Sequence, residues 1–211
     1  CFMGGGNVPT AMVAAARLGL KSSILGVVGD DMLGRLAAAD FTYNHVDTSH
    51  LKVAPGKRTN FCLCVAEQEN DGKEFISKPG DFAPLTPEEL DKDYIQSAKA
   101  LHIGQFTPAI IKACEWMHEA GGIVSIDAAY YRPDIYENYR HLDIFIGSET
   151  YYNVLCQTEG YTGGRDDIQT VLRAIQAKGP NTVIFTFGAD GCVGLCGDDY
   201  CLLYTSPSPR D

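Results

Sequence analysis

Apolar and polar residues alternate along the chain in blocks that predict a regular succession of strands and helices. Short apolar runs typical of buried strands lie at 22–28, 98–103, 123–126, 144–146 and 182–187. Amphipathic stretches with helical spacing lie between most of these runs. Repeated strand–helix–strand units with apolar strands predict a doubly wound α/β fold, in which a mostly parallel sheet carries helices on both faces.

The helices are marked by inward-facing apolar positions and by capping residues. The pattern over 166–178 is the clearest, with Ile168, Val171, Leu172 and Ile175 facing inward. A helix opened by Thr107-Pro108 is predicted to bury Ile110, Ile111, Cys114 and Met117. Candidate N-terminal caps are Asn7, Asp30 or Asp31, Thr86 with Glu89 as a capping box, and Ser148.

One hairpin interrupts the strand–helix alternation. The runs 59–66 and 74–77 read as strands joined by a polar turn at 68–72. We expect them to pair antiparallel and to stand off from the main sheet, over the glycine-rich loop Gly4–Asn7. A hairpin inserted in this way into a doubly wound fold is a candidate lid, spanning about residues 59–80.

Composition narrows the class of protein. Hydrophobic residues make up 45% of the 211 residues, so a sizeable core can form, and the formal net charge is −10. Scattered basic residues in an acidic chain argue against nucleic acid as a partner. Without an apolar run long enough to span a bilayer, and without a signal peptide, we expect no membrane association and a soluble, cytoplasmic protein.

Cysteines and histidines show no metal-binding pattern. The eight cysteines include no C-x-x-C pair, and we predict that they are buried, reduced thiols. The five histidines form no ligand pair or triad in the sequence. We therefore interpret them as surface residues or as core residues whose hydrogen bonds are satisfied.

The last eleven residues, Cys201–Asp211, do not fit the rest of the chain. They lack amphipathic spacing and caps, and they translate codon for codon from the adapter of a transposon-based sequencing library. We predict that residues 1–200 are a truncated domain and that 201–211 are non-native read-through. Such a tail should form no sheet ladder and should pack little apolar surface.

Four stretches near predicted strand or helix ends are candidates for chemistry, because ligands of doubly wound folds bind beyond the carboxyl ends of the strands. The loop Gly4–Asn7 suits an anion or hydroxyl groups, or is a tight turn. Residues 26–34 suit a cap more than a ligand. Glu149 either offsets a helix dipole or holds a metal-bound water. Residues 186–191 form either a nucleotide-binding turn or a plain hairpin turn.

In this order and spacing, these stretches resemble one family, the ribokinase-like or phosphofructokinase-B carbohydrate kinases. Residues 5–19 are similar to its Gly-Gly signature helix, and residues 26–34 to its G-x-V-G-x-D-x-x-G segment. The hairpin resembles part of a β-lid, Asp127 with Arg132-Pro133 resembles an Asp…Arg-Pro stretch, and 186–191 resembles a nucleotide-binding turn. The similarity covers residues 4–196.

The resemblance implies transfer of the ATP γ-phosphoryl group to a hydroxymethyl group of a sugar, with ATP and Mg²⁺ as cofactors. It implies sugar contacts from Gly5, Gly6, Asn7, Thr10, Asp127 and Arg132. It implies nucleotide contacts from Ser148, Glu149, Thr186, Gly188 and Gly191, with Glu149 also linked indirectly to the metal. Lids of this family often pair two subunits, so a homodimer through the hairpin is expected.

The sequence also departs from the family. Thr10 replaces a usual Asn, and Ser148-Glu149-Thr150-Tyr151 replaces Asn-x-x-Glu. The Gly-Ala-Gly-Asp motif that carries the general base is absent and is expected beyond Tyr200, so we predict that this chain is inactive. A nucleoside kinase and a ligand-binding pseudokinase remain alternatives. An NAD-dependent oxidoreductase would fit the fold class but lacks its fingerprint.

Overall fold

A computed structural model describes residues 4–66, 73–164 and 167–203. The chain divides into two compact units, Cys1–Leu85 and Thr86–Asp211. Within the described ranges, no helix is both long and apolar enough to cross a membrane.

The first unit combines two helices with three separate pairs of strands. Its elements are α1 Asn7–Arg17, β1 Ser22–Ser23, β2 Gly26–Gly29, α2 Met32–Tyr43, β3 Val46–Asp47, β4 Leu51–Ala54, β5 Phe61–Ala66 and β6 Lys73–Lys78. β1 pairs with β3 and β2 with β4, both in parallel, whereas β5 and β6 pair antiparallel. The predicted hairpin is therefore confirmed. Its predicted turn at 68–72 lies outside the described residues.

Two predictions for the first unit are wrong in detail. The single strand expected over 22–28 is two strands, because the chain changes partner from β3 to β4 after Ile24, whose amide donates to Asp47 O (3.0 Å). The cap of α1 is Gly6, with φ 100°, and Asn7 is already helical. The small core of this unit holds Ile24, Phe41 and Val46, with Val8, Met12, Val13, Ala16 and Leu51 packed against them.

The second unit is built on one six-stranded sheet. Its helices are α3 Lys92–Ser97, α4 Pro108–Glu119, α5 Pro133–Glu137, α6 Glu149–Glu159 and α7 Ile168–Gln176. Its strands are β7 Ala100–Ile103, β8 Ile123–Ala128, β9 Ile144–Ser148, β10 Thr182–Thr186, β11 Cys192–Cys196 and β12 Asp199–Leu203. The order is β12-β11-β10-β9-β8-β7, in which β7 to β10 are parallel and β11 and β12 antiparallel.

One face of this sheet is buried along its four inner strands, β8 to β11. Six of the side chains on that face are 0% exposed, namely Val124, Ile126, Phe145, Val183, Phe185 and Val193. Because β7 to β10 follow one another in one direction, right-handed crossovers bring α4, α6 and α7 to the same side. The opposite face carries half-buried residues such as Ser125, Asp127 and Ile146. The fold is thus α/β with a mostly parallel sheet, as predicted.

The helix patterns are confirmed to different degrees. All four inward positions predicted for α7 are buried. In α4, Cys114 and Met117 are buried as predicted, but the other buried positions are Ala109 and Ala113. Ile110 and Ile111 are only half-buried. Alanines are small, so Ala109 and Ala113 let α4 lie close to the sheet. The apolar spacing of the sequence does not reveal which positions make this close approach.

The tail only partly behaves as expected. Cys201–Leu203 form a sheet ladder with β11, so the prediction of no ladder is wrong for these three residues. A ladder needs only backbone donors and acceptors, and the outer edge of β11 offers them. Leu202 and Leu203 remain 39% and 54% exposed, in keeping with the prediction of little apolar packing. Residues 204–211 lie outside the described range.

Candidate active site at the carboxyl ends of the strands

Polar residues from three neighbouring strands come together at one edge of the main sheet. Thr186 is the register partner of Ser148, and Asp127 is the partner of Ile146, two residues before Ser148. Because side chains alternate between the faces of a strand, Asp127, Ser148 and Thr186 share the half-buried face. This is the edge at which sheets of this class bind ligands.

Ser148 connects the strand end to the following helix. Its hydroxyl donates to Ala129 O (2.6 Å) and accepts from the amide of Tyr151 (3.1 Å), so the predicted cap of α6 is confirmed. Glu149 is the first residue of α6 and is exposed. A carboxylate at a helix N-terminus is stabilised by the dipole, and at this edge it is also accessible to a ligand.

Tyr151 occupies the last position of the altered family motif. It is 0% exposed, and its hydroxyl lies 2.7 Å from that of Tyr139. Burial raises the pKa of both tyrosines far above the ordinary value. Where the resembling motif Asn-x-x-Glu has a glutamate, this chain has a buried, neutral tyrosine hydroxyl. Such a hydroxyl cannot bind a cation as a carboxylate would.

Arg132 lies in the loop after β8 and is already paired. Its Nε donates to Asp134 Oδ1 (2.8 Å) and its Nη2 to Asp134 Oδ2 (3.2 Å). Asp134 also accepts from the amide of Phe106 (3.1 Å), which ties this loop to the loop after β7. Its pKa is lowered by these bonds, which outweigh partial desolvation. The guanidinium can reach a phosphoryl group only by sharing or leaving this carboxylate.

The segment after β10 is a hairpin turn, one of the two alternatives that the sequence left open. Phe187 N donates to Gly191 O (2.8 Å) across it, and β10 pairs antiparallel with β11. Gly188 (φ 55°) and Gly191 (φ 87°) take backbone conformations that favour glycine. A Cβ at Gly188 would meet nothing within 4 Å, so the backbone is open to an approaching planar group or phosphate.

The glycine-rich loop of the first unit is exposed. Gly6 starts α1, and its carbonyl accepts from the amide of Thr10 (2.9 Å). Asn7 and Thr10 are both exposed, and they lie one helical turn apart on one side of α1. A Cβ at Gly5 would meet nothing within 4 Å. The loop therefore offers backbone and side-chain hydrogen-bonding groups on an open surface.

Sequence reasoning missed His102. Its Nδ1 lies 2.9 Å from Ser125 Oγ, but Nε2 is buried with no hydrogen-bond partner in the described part of the chain. Desolvation lowers its pKa, and the neighbouring charge of Asp127 opposes this shift. The prediction that core histidines are satisfied is therefore wrong for Nε2. The only sequence signal is a polar residue within an apolar strand.

Structures of the same fold are ribokinase-like. Ribokinase from Thermotoga maritima superposes with a TM-score of 0.80 at 17% identity, over 99% of this chain and 68% of that one. Fructokinase from Xylella fastidiosa, solved with bound ATP, gives 0.79 at 17% identity, over 94% and 67%. These similarities confirm the predicted fold.

The family model of the pfkB carbohydrate kinases matches residues 2–206, and the chain belongs to this family. A fructokinase of Solanum tuberosum is 34% identical in an alignment of length 133 that covers 58% of this chain and 41% of that protein. The 5-dehydro-2-deoxygluconokinase of Geobacillus kaustophilus is 26% identical in an alignment of length 209 that covers 90% of this chain and 61% of that protein. The chain thus spans less than two thirds of these relatives.

Proposed function

We propose that the complete protein transfers the γ-phosphoryl group of ATP to a hydroxymethyl group of a sugar or sugar-like substrate. The observation that carries this proposal is the grouping of Asp127, Ser148 and Thr186 on one face at the carboxyl edge of a sheet that belongs to a carbohydrate-kinase family. Fructokinases and a 5-dehydro-2-deoxygluconokinase among the relatives favour a ketose or a keto sugar acid.

Each group of site residues has a proposed role. On the sugar side of the site, Gly5, Gly6, Asn7, Thr10 and Asp127 contact the sugar, and Arg132 meets the phosphoryl group that is transferred to it. The nucleotide is contacted by Ser148, Glu149, Thr186, Gly188 and Gly191. When bound, ATP and magnesium supply the transferable phosphoryl group and neutralise its charge.

The residues present are compatible with a nucleotide and with a metal ion that is bound to the nucleotide phosphates. The turn at Gly188 leaves its backbone open, as a nucleotide requires. No cluster of three metal-ligating side chains occurs in the described ranges. Magnesium usually keeps several waters and binds through one or two carboxylates plus substrate phosphates, a role that exposed Glu149 can fill through water.

Activity is best tested on two versions of the protein. One is residues 1–200, and the other is the same segment continued by its native downstream sequence. ATP consumption is followed over ketoses, aldoses, sugar acids and nucleosides. We expect turnover only from the longer version, because loss of a general base typically costs about 10²–10⁴ in rate.

The possible results separate the alternatives. A preference for nucleosides would favour the nucleoside kinase, and binding of sugar and ATP without turnover in the well-folded longer version would favour a pseudokinase. The buried Tyr151 is the observation that favours the pseudokinase. Substantial turnover by residues 1–200 would contradict the prediction that the catalytic base is missing.

We further propose that the hairpin pairs two copies of the protein. The strand register brings Phe61, Leu63, Val65 and Ile76 to one face, and each is between 44% and 61% exposed. Lys78 lies beside Phe61 and Glu74 beside Val65, at opposite ends of this face. Two copies packed in opposite directions would place each lysine near the other copy's glutamate.

A charge on this face tests the dimer. We expect Leu63→Lys to give a monomer in light scattering, while Lys52→Glu, an exposed change on β4, leaves the dimer intact. A wild-type protein that is monomeric at every concentration would overturn this proposal.

A further inference from the structure

The segments that lead into and out of the hairpin are hydrogen-bonded to each other at its base, within the first unit. Arg58 N donates to Asp81 Oδ1 (2.5 Å), Arg58 Nε to Asp81 Oδ2 (3.2 Å), and Asp81 N to Arg58 O (3.3 Å). Arg58 precedes β5 by three residues, and Asp81 follows β6 by three. Both ends of the hairpin are therefore held together at one place, residues 57–59 and 80–81, which we call the root of the hairpin.

Asp31 ties this root to the rest of the unit. Its Oδ1 accepts from Thr59 Oγ1 (2.7 Å) and from Gly34 N (2.9 Å), and its Oδ2 accepts from Thr59 N (3.0 Å). Thr59 Oγ1 in turn accepts from Gly29 N (2.9 Å). These four hydrogen bonds connect the end of β2, the start of α2 and the root of the hairpin through one carboxylate and one hydroxyl.

Gly29, Gly34 and Gly80 lack the side chains that would otherwise keep the root of the hairpin away from the end of β2 and the start of α2. A Cβ at Gly29 would lie 2.2 Å from Lys57 O, and one at Gly80 would lie 2.9 Å from Arg58 O. A Cβ at Gly34 would lie 2.0 Å from Gly29 O and 2.9 Å from Thr59 Oγ1. The spacing of glycines and aspartate in residues 26–34 thus has a steric reason, which is the crossing of segment 57–59 over the start of α2.

Thr59 is the part of this network that solvent reaches least. Its side chain is buried, with 8% of the residue exposed. Buried polar groups that lose a partner are costly, and hydrogen bonds to a charged group are the stronger ones. The hydrogen bonds between Asp31 and Thr59 therefore resist displacement of the root. Strands β5 and β6, by contrast, are exposed on both faces.

From this geometry we propose that Asp31 and Thr59 form the anchor of the hairpin, and that Asp31 is a positioning residue that sets where the hairpin rests. The inference rests on the proposed function in one respect, which is that the hairpin acts as a lid over a bound sugar. An anchored root limits the positions that the strands can reach. Loosening it lowers the fraction of molecules with the lid in the closing position, and so weakens sugar binding more than the chemical step.

The chain offers matched variants for a test in the complete protein. Asp31→Asn keeps the shape but replaces one accepting oxygen by a donor, and Thr59→Val removes the hydroxyl. Thr59→Ser restores the hydroxyl, which makes it the conservative rescue. Asp30→Asn is the control, because Asp30 has the same charge but accepts through Oδ2 from Gly56 N (2.9 Å), outside the anchor.

Hydrogen exchange gives the direct readout, independent of activity. In Asp31→Asn and Thr59→Val we expect the amides of Gly29, Gly34 and Thr59 to exchange about tenfold faster or more. The amides of β8 to β10 should be unchanged. In Asp30→Asn and Thr59→Ser the amides of Gly29, Gly34 and Thr59 should also be unchanged, although Asp30→Asn can affect the amide of Gly56, its own partner. Equal exchange in Asp31→Asn and Asp30→Asn, or acceleration throughout the molecule, would overturn the anchor.

Kinetics give the second readout. We expect the KM for the sugar to rise about tenfold in Asp31→Asn and Thr59→Val with kcat within about twofold, and Thr59→Ser to stay near wild type. Faster exchange with unchanged KM would overturn the positioning role. A complete protein that phosphorylates no sugar would overturn the proposed function, and the exchange experiment would still decide on the anchor.

Discussion

Strands β10 and β5 look alike in sequence and differ entirely in their surroundings. Both are short apolar runs, TVIFT and FCLCVA. In β10, Val183 and Phe185 are 0% exposed, under the helices that cover one face of the main sheet. In β5, Phe61 is 51% exposed and Leu63 54% exposed.

The difference shows that an apolar strand pattern specifies a strand and its register, but not what covers it. β10 lies between two strands and under crossover helices, so its burial follows from topology. Among the described strands, β5 and β6 pair only with each other. Contiguous exposed apolar surface of this kind marks an interaction site, in agreement with the proposed lid and dimer.

The sharpest test of the comparison replaces the same residue type in both strands. We expect Phe185→Ala to lower the free energy of unfolding by about 3–5 kcal/mol, because it leaves a cavity in a close-packed core. Phe61→Ala should change it by less than about 0.5 kcal/mol in the monomer. Urea unfolding at low protein concentration measures both, and similar losses would mean that the hairpin face is covered.

Buried polar groups beneath the main sheet give a second test. Tyr151→Phe should cost about 1–3 kcal/mol, because it leaves the hydroxyl of Tyr139 buried without its partner. The double variant Tyr139→Phe with Tyr151→Phe should recover most of this loss. A double-mutant cycle on the free energy of unfolding measures the coupling, and additive losses would contradict a paired role for the hydroxyls.

Two partly buried histidines, His102 on the half-buried face of the sheet and His141 in the turn before β9, should make stability depend on pH. Burial lowers the pKa of His102 and of His141 below 6.5. The unfolded chain therefore binds more protons than the folded one below about pH 6.5, and stability falls as the pH decreases from there to the folded pKa values.

Single variants assign this dependence. His102→Gln should flatten part of the decline in the free energy of unfolding as the pH falls below about 6.5, and His141→Gln another part. An unchanged slope in His102→Gln would show that this ring is not shielded from solvent.

Thiol labelling gives the smallest perturbation. Cys62 and Cys64 on β5 are exposed, whereas Cys114 and Cys156 on the covering helices are buried. Burial raises the pKa of Cys114 from 9.0 to about 12, which leaves roughly a thousandfold less thiolate at pH 8. We expect peptide mapping to find early label on Cys62 and Cys64, as on the exposed Cys196 and Cys201, and label on Cys114 only after unfolding. Early labelling of Cys114 would contradict the buried face.

Much of the architecture could be predicted because local patterns and topology agree. The antiparallel pairing of the hairpin follows from two strand-like runs joined by a polar turn, and the inward face of α7 from helical spacing. The caps Asp31 and Ser148 follow from short side chains that accept from nearby amides, at 2.9 and 3.1 Å. The prediction of buried cysteines was wrong for Cys62, Cys64, Cys196 and Cys201, which are exposed. Exposure of Cys62 and Cys64 depends on the absence of a covering layer over the hairpin in the described ranges, which a strand pattern does not reveal.

By itself, the sequence determined the alternation of strands and helices, the family and the order of its motifs, since these depend on spacing along one chain. Tertiary structure decided what spacing cannot express. It placed Tyr151 against Tyr139, left Nε2 of His102 without a partner among the residues that the structure describes, and brought Thr59 to Asp31 from 28 residues away. Such contacts join residues distant in sequence, and whether a polar atom finds a partner depends on every element packed around it.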